Sequence, residues 1–275
     1  MGVNISDIIP KKEIQISDLK GKTIAIDAFN TLYQFLTTIR QPDGTPLMNS
    51  KGKITSHLSG LFYRNLSLMQ EGVNPIYVFD GKPPEMKLAE IERRKNLKKE
   101  AREKYEEAKQ KEDVEQMRKY AGRDVRITQE IIDESKELLI AMGIPVIQAT
   151  GEGEAEGSYL ARQRKVWASA SQDFDSVLYG TPILIRNLTL AKKKKTSAGI
   201  YVEVNPEKIE LQEVLTKLNL SLEQLICLAI LVGTDYNPGG VKGLGQKRAL
   251  EIASKFESPV EIFDFVKKSE KYELD

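Results

Sequence analysis

Residues 22–27, KTIAID, and residues 76–80, IYVFD, are one device used twice: a short β-branched run that stops abruptly on an aspartate. A third run, VWASASQDFD over 166–175, ends with two, Asp173 and Asp175. Short apolar runs rich in β-branched residues read as buried strands. Between them lie helical patterns: TSHLSGLFYRNLSLMQEG (55–72) and TQEIIDESKELLIAMG (128–143), with Gly72 and Gly143 as stops, and GEAEGSYLARQRK (153–165). Strands alternating with helices predict an α/β fold built on a mainly parallel sheet flanked by helices. In such sheets function collects beyond the carboxyl ends of the strands, which is where these aspartates fall. ILIRNL (183–188) and YVEV (201–204) add strand candidates, and the lysine run Lys192 to Lys195 between them reads as an exposed turn.

Composition narrows the chemistry. The chain has 275 residues, 40% of them hydrophobic, enough for a sizeable core. No stretch approaches the roughly 20 apolar residues of a membrane span, and the N-terminus lacks a secretory apolar segment, so no membrane partner and a cytoplasmic location are expected. The one cysteine, Cys227, lies in an apolar run and reads as core packing. The one histidine, His57, has no companions with which to build a zinc site or a histidine-based catalytic pair. A net charge of +1 gives no whole-molecule attraction for a polyanion, so any nucleic-acid binding must come from local patches.

Such patches exist. Residues 82–126 hold 15 basic and 11 acidic residues and little that is apolar. A helix this polar is not core: it is either a solvated, salt-bridged pair or a basic arm over a nucleic-acid path. From about residue 205 helical patterns take over: PEKIELQEVLTKLN (206–219), SLEQLICLAILVG (221–233), QKRALEIASKF (246–256) and PVEIFDFVKKSEKY (259–272). The expected division is an α/β domain over 1–204, with the charged segment at 82–126, and a helical region over 205–275.

Seven carboxylates follow strands or open helices: Asp27, Asp80, Glu152, Glu154, Asp173, Asp175 and Asp235. Clustered acids repel and raise one another's pKa unless a cation compensates them. Hard oxygen donors with no histidine or cysteine select Mg2+, with Mn2+ as a substitute. Seven acids exceed the needs of one ion, and two ions roughly 3.5–4 Å apart suit in-line phosphodiester hydrolysis by an activated water. If the helix over 153–165 begins after Gly153, Glu152 lies in the entering loop and Glu154 in the first turn. Both then reach the ions, helped by the positive helix end, and Glu156 is left to the surface.

The glycine-rich turn VKGLG (241–245) followed by a helix opening QKRA is the pattern of a helix-hairpin-helix element, at about 221–256, that grips a duplex backbone. Here the resemblance is plain. IAIDAFNTLYQFL, TSHLSGLFYR, YVFDGKPPE, GEGEAE, ASQDFDSVLYG, RNLT and ILVGTDYNPGGVKGLG are similar, in order and spacing, to the motifs of the flap endonucleases of archaeal type. The resemblance implies a PIN-like 5′ nuclease fold with a helical arch and a helix-two-turn-helix DNA clasp. It implies a structure-specific 5′ flap endonuclease and 5′-3′ exonuclease of replication and repair, cutting branched DNA with a 5′ flap.

By that similarity Asp27, Asp80, Glu152 and Glu154 surround one Mg2+, and Asp173, Asp175 and Asp235 hold a second. Lys87 and Arg94 contact the scissile phosphate, Tyr33 stacks a base, and Arg40 lies near the flap junction. The N-terminus at Gly2 lies close to the active site. Gly243, Gly245, Lys247 and Arg248 hold the uncut duplex, where a K+ ion often sits. A monomer associated with the nucleoid is the expectation.

Two departures stand out. Thr150-Gly151 replaces the usual proline-serine, and the chain stops at KSEKYELD, short of the tail that binds the sliding clamp, so clamp binding through that tail is not expected. Two rivals remain in view. DAFNTL (27–32) resembles the D-x-D-G-T loop of aspartate-based phosphatases, with Phe29 in place of the second aspartate. The other rival is a catalytically weak module that binds branched DNA without cutting it.

Overall fold

The computed structural model describes residues 2–272 apart from 112, 122–124, 190–192, 196–200 and 270. In chain order, β1 (Lys12–Glu13) precedes β2 (Thr23–Asp27), α1 (Ala28–Thr38), α2 (Ser56–Gln70) and β3 (Asn74–Phe79). Next come α3 (Leu88–Gln110), α4 (Val114–Ala121), α5 (Gln129–Ala141), β4 (Val146–Gln148), α6 (Gly153–Arg162), β5 (Ala168–Ala170), α7 (Asp175–Leu178) and β6 (Ile183–Arg186). The chain continues with β7 (Lys193–Lys195), β8 (Tyr201–Glu203), β9 (Glu207–Glu210), α8 (Leu211–Leu218), α9 (Leu222–Val232), α10 (Gln246–Lys255) and α11 (Pro259–Lys267). These form two compact units: residues 19–153, and residues 1–18 together with 154–275. The boundary drawn from sequence at 204/205 lies inside the second of these.

In the unit 19–153, β2, β3 and β4 run parallel, with Thr23 opposite Asn74, Asp27 opposite Val78, and Tyr77 opposite Val146. Ile24, Ala25 and Ile26 are all buried, as are Tyr77, Val78 and Phe79, because parallel strands are covered on both faces. α1 buries Leu32, Phe35 and Leu36. α2 and α5 meet through a polar pair: His57, fully buried, lies with Nε2 3.1 Å from Glu134 Oε2. Burial pushes the His57 imidazole below its ordinary pKa, and the Glu134 carboxylate opposes the shift. The charged segment is helical, as its composition predicts. α3 runs for 23 residues and buries only Glu90, Ala101 and Ala108. Residues 112 and 122–124 of the segment lie outside the described residues.

The other unit carries strands in the order β1-β9-β6-β5, with β5 and β6 parallel and both other pairs antiparallel. Its core joins Val3, Ile5 and Ile9 from the N-terminus to Leu184, Ile209, Leu225, Leu228, Ile252 and Ile262. Each such side chain contributes roughly 1.5–3 kcal/mol on burial. α9 and α11 start on reciprocal capping boxes, Ser221 with Gln224 and Ser258 with Glu261.

Two expectations are corrected. Residues 207–210 form β9, not the start of a helix: Ile209 is buried, and its flanking residues pair with β6 from Ile183↔Glu210 to Arg186↔Glu207. Tertiary pairing overrides the helix preference of Glu and Lys, and the helix begins only at Leu211. Lys193–Lys195 is strand β7, antiparallel to β8, not a turn. The partner is the strand candidate at 201–204, observed as Tyr201–Glu203; what the sequence did not reveal is that the lysines pair with it. Lys192 lies outside the described residues.

Candidate active site

Asp27 ends β2 and caps α1: its side chain accepts from the Asn30 amide at 3.0 Å, and Thr31 Oγ1 donates to its carbonyl at 2.7 Å. The strand-end acid is therefore fixed by the helix that follows it. Asp80, just past β3, is held on two sides. Gly153 N donates to Asp80 Oδ1 at 2.6 Å, and Gln148 Nε2 donates to the Asp80 carbonyl at 2.6 Å. This approach requires glycine at 153, since a Cβ there would lie 2.8 Å from Asp80 Oδ1. Burial pushes the Asp80 carboxyl above its usual range; the nearby Glu152 adds to this, while the Gly153 amide and Lys87 work against it.

Lys87 Nζ sits 2.5 Å from Glu152 Oε1, with both side chains largely buried, so the base of the charged segment docks on the loop that carries the glutamate. Arg94 Nε donates to Glu90 Oε1 at 2.7 Å, and Arg93 makes two further bonds to the same carboxylate. This pairing, led by Arg93, holds Glu90 down at about 2. Tyr33 is partly exposed on α1 with the Lys98 ammonium 5.4 Å from its ring centroid. Arg40 donates from Nε to Leu36 O at 2.9 Å and from Nη1 to Gly44 O at 2.7 Å, which pins the chain leaving α1.

In the other unit, Asp173 and Asp175 flank Phe174 at the end of the β5 loop. Val3 N donates to Asp175 Oδ1 at 2.8 Å. Gly2 is pressed so close that a Cβ would fall 2.7 Å from both Asp173 Cβ and Asp175 Oδ1. The N-terminus thus backs these two aspartates. Glu154 occupies the first turn of α6, which begins at Gly153, with Glu152 before it. Asp235 lies in the loop after α9, where Asn237 Oδ1 accepts from Thr234 N at 3.1 Å and from Thr234 Oγ1 at 2.7 Å, closing the turn around it. The same loop leads to Gly243, with φ +82°, and to Gly245, which caps α10 without a side chain. The first-turn amides of α10 are left available, beside exposed Lys247 and Arg248.

All seven carboxylates are half-buried. Among the described residues, no three His, Cys, Asp or Glu side chains converge tightly enough to form a ready-made cation cage. Amides of Asn30, Gly153 and Val3 and the Lys87 ammonium occupy several of the oxygens. Gln148 and Glu90 are functional neighbours that sequence reasoning missed. The spacing of Glu90 to Arg93 and Arg94, i+3 and i+4 on a helix, was a readable signal. Gln148 gave none.

The fold and these acids define a class. An XPG N-terminal domain matches residues 1–101 and an XPG I-region matches residues 143–235. Flap endonuclease 1 of Pyrococcus furiosus is 57% identical over 264 residues, 96% of this chain and 78% of that protein. Flap endonuclease 1 of Staphylothermus marinus is 53% identical over 275 residues, 98% of this chain and 79% of that one. Among solved structures, flap endonuclease-1 from Methanococcus jannaschii aligns with a TM-score of 0.75 at 47% identity, covering 98% of this chain and 81% of that one. The catalytic core of Rad2 in complex with DNA substrate aligns at 0.66 and 27%, covering 94% and 68%. The chain belongs to the flap endonuclease family, structure-specific 5′ nucleases that hydrolyse phosphodiester bonds.

Proposed function

We propose that this chain cleaves branched DNA near the base of a 5′ flap, with Asp27, Asp80, Glu152 and Glu154 holding one divalent cation and Asp173, Asp175 and Asp235 a second. The donor set fits Mg2+ or Mn2+: seven carboxylates, no thiolate and no imidazole. The observation that carries the reading is that backbone amides already aim at two of these groups, Gly153 N at Asp80 and Val3 N at Asp175. These two carboxylates are held in place before a cation arrives, a partial preorganisation of the kind that catalysis by positioning needs. Bound there, the ions would polarise the scissile phosphate and lower the pKa of the attacking water.

The chain's own side chains do the rest. Lys87, released from Glu152, and Arg94, released from Glu90, neutralise the reacting phosphate. Tyr33 exchanges its ammonium neighbour for the face of a base. Arg40 stiffens the segment next to the flap junction. Lys247, Arg248 and the uncapped amides of α10 hold the phosphates of the uncut duplex, with the Gly243 to Gly245 turn supplying carbonyls for a K+ ion. The protein works as a monomer on DNA inside the cell.

The test is cleavage of an end-labelled 5′-flap duplex in Mg2+ and in chelator, for the parent chain and Asp173→Ala. Cutting near the junction that disappears with chelator and with the substitution supports the reading. Cutting that survives both refutes it, and junction binding without cutting in Mg2+ points to a binding module instead.

A further inference from the structure

The motif around Arg186 has no part in the chemistry above, yet its side chain makes three separate contacts. Arg186 is the last residue of β6, and its Nε donates to the carbonyl of Gln172 at 3.0 Å. Its guanidinium carbon lies 4.2 Å from the ring centroid of Phe174. Gln172 and Phe174 are the two neighbours of Asp173, so one side chain grips the backbone on one side of that aspartate and the ring on the other. The guanidinium is itself fixed, because Nη1 meets Glu207 Oε2 at 2.9 Å across the β6–β9 pair. Only 16% of the Arg186 side chain is exposed, and Phe174 is buried.

We propose that Arg186 is a positioning residue for Asp173, a staple that transmits the rigidity of the β6–β9 ladder to the loop carrying the carboxylate. The staple needs a planar group that donates in its plane and stacks on its face. A guanidinium does both at once, whereas an ammonium is a single point charge and does not. Ser171 Oγ, which accepts from Asp173 N at 3.2 Å, secures the loop from the other end. This role rests on the reading of Asp173 as a cation ligand. Residues that orient a ligand from outside typically change metal affinity or activity by about 10- to 100-fold when altered.

The experiment compares Arg186→Lys, Glu207→Gln and Asp173→Asn with the parent chain. Mn2+ binding to the DNA-free protein is measured by calorimetry, flap binding in Ca2+ by anisotropy, thermal unfolding by circular dichroism, and the Mg2+ dependence of cleavage by single-turnover rates. For Arg186→Lys we expect a Mn2+ affinity weaker by about tenfold and a half-saturating Mg2+ concentration raised to match, with flap affinity within about twofold. Glu207→Gln keeps the arginine but loosens its anchor, and should fall between Arg186→Lys and the parent; it carries the test if Arg186→Lys does not fold. Weakened Mn2+ binding in Asp173→Asn with parental values in both other variants overturns the role of Arg186 alone. Parental Mn2+ binding in Asp173→Asn overturns the ligand reading and this proposal with it.

Discussion

Gly153→Ala probes the most exacting contact at the site. The new Cβ would stand 2.8 Å from Asp80 Oδ1 and 3.2 Å from the Val78 carbonyl, where ordinary contact begins at 3.4 Å. The shortfall against the carboxylate is 3.4 minus 2.8, or 0.6 Å. Either Asp80 withdraws or the start of α6 lifts, and the 2.6 Å bond from Gly153 N to Asp80 Oδ1 lengthens in both cases. If a misplacement of about 1 Å costs roughly a hundredfold in rate, 0.6 Å costs roughly fifteenfold, or about 1.6 kcal/mol of barrier. Stability should change far less. Position 153 has no positive φ, and alanine in a compatible helical position gains about 0.4–1 kcal/mol from the unfolded state, which offsets part of the crowding. The assay is single-turnover flap cleavage beside thermal unfolding. A rate within twofold of the parent, or a loss that tracks a collapse in unfolding temperature, would refute the argument that this amide sets the carboxylate.

Three other outcomes are expected. Lys87→Ala and Arg94→Ala should lose cleavage rate by far more than flap affinity, and equal losses in both would make them ordinary phosphate contacts. Flap affinity should fall steeply with salt, and Lys247→Ala or Arg248→Ala should each reduce the slope of log affinity against log salt by about 1, so an unchanged slope removes them from the backbone grip. His57 is depressed by burial, so its contribution is complete above its unfolded pKa of about 6.5 and is lost as pH falls through the lower folded value. Urea unfolding should show stability declining below pH 6.5, with a shallower decline in His57→Gln.

The strand-end aspartates were legible because the residues before them, Ile24 to Ile26 and Tyr77 to Phe79, are apolar enough to be nothing else. Helices α5, α9 and α11 were legible at their starts because Thr128, Ser221 and Ser258 are cap-forming residues whose side chains accept from the first-turn amides. Other elements left no comparable mark. β1 is two charged residues, and β9 is charged at three of four positions; both exist because a neighbouring strand completes their hydrogen bonds. The acids could be nominated from sequence, but their holders could not. Gly153 reaches Asp80 across 73 positions and Lys87 reaches Glu152 across a similar gap, and no periodicity of 2 or 3.6 records a contact of that span.

The chain's discontinuous unit has a consequence for its synthesis. Val3, Ile5 and Ile9 belong to a core whose other members begin at residue 174, and Val3 N finds its acceptor 172 positions away. At about 5–20 residues per second, roughly 9–34 s separate the emergence of these side chains from that of their partners. Late in that interval, once residue 153 has been made, the 19–153 unit has all of its own residues and can assemble, while the N-terminal apolar triplet still lacks its partners. Closure of the N-terminus behind Asp173 and Asp175 is therefore a late step of folding, one that the first-made residues cannot complete until the far side of their own core has been synthesised.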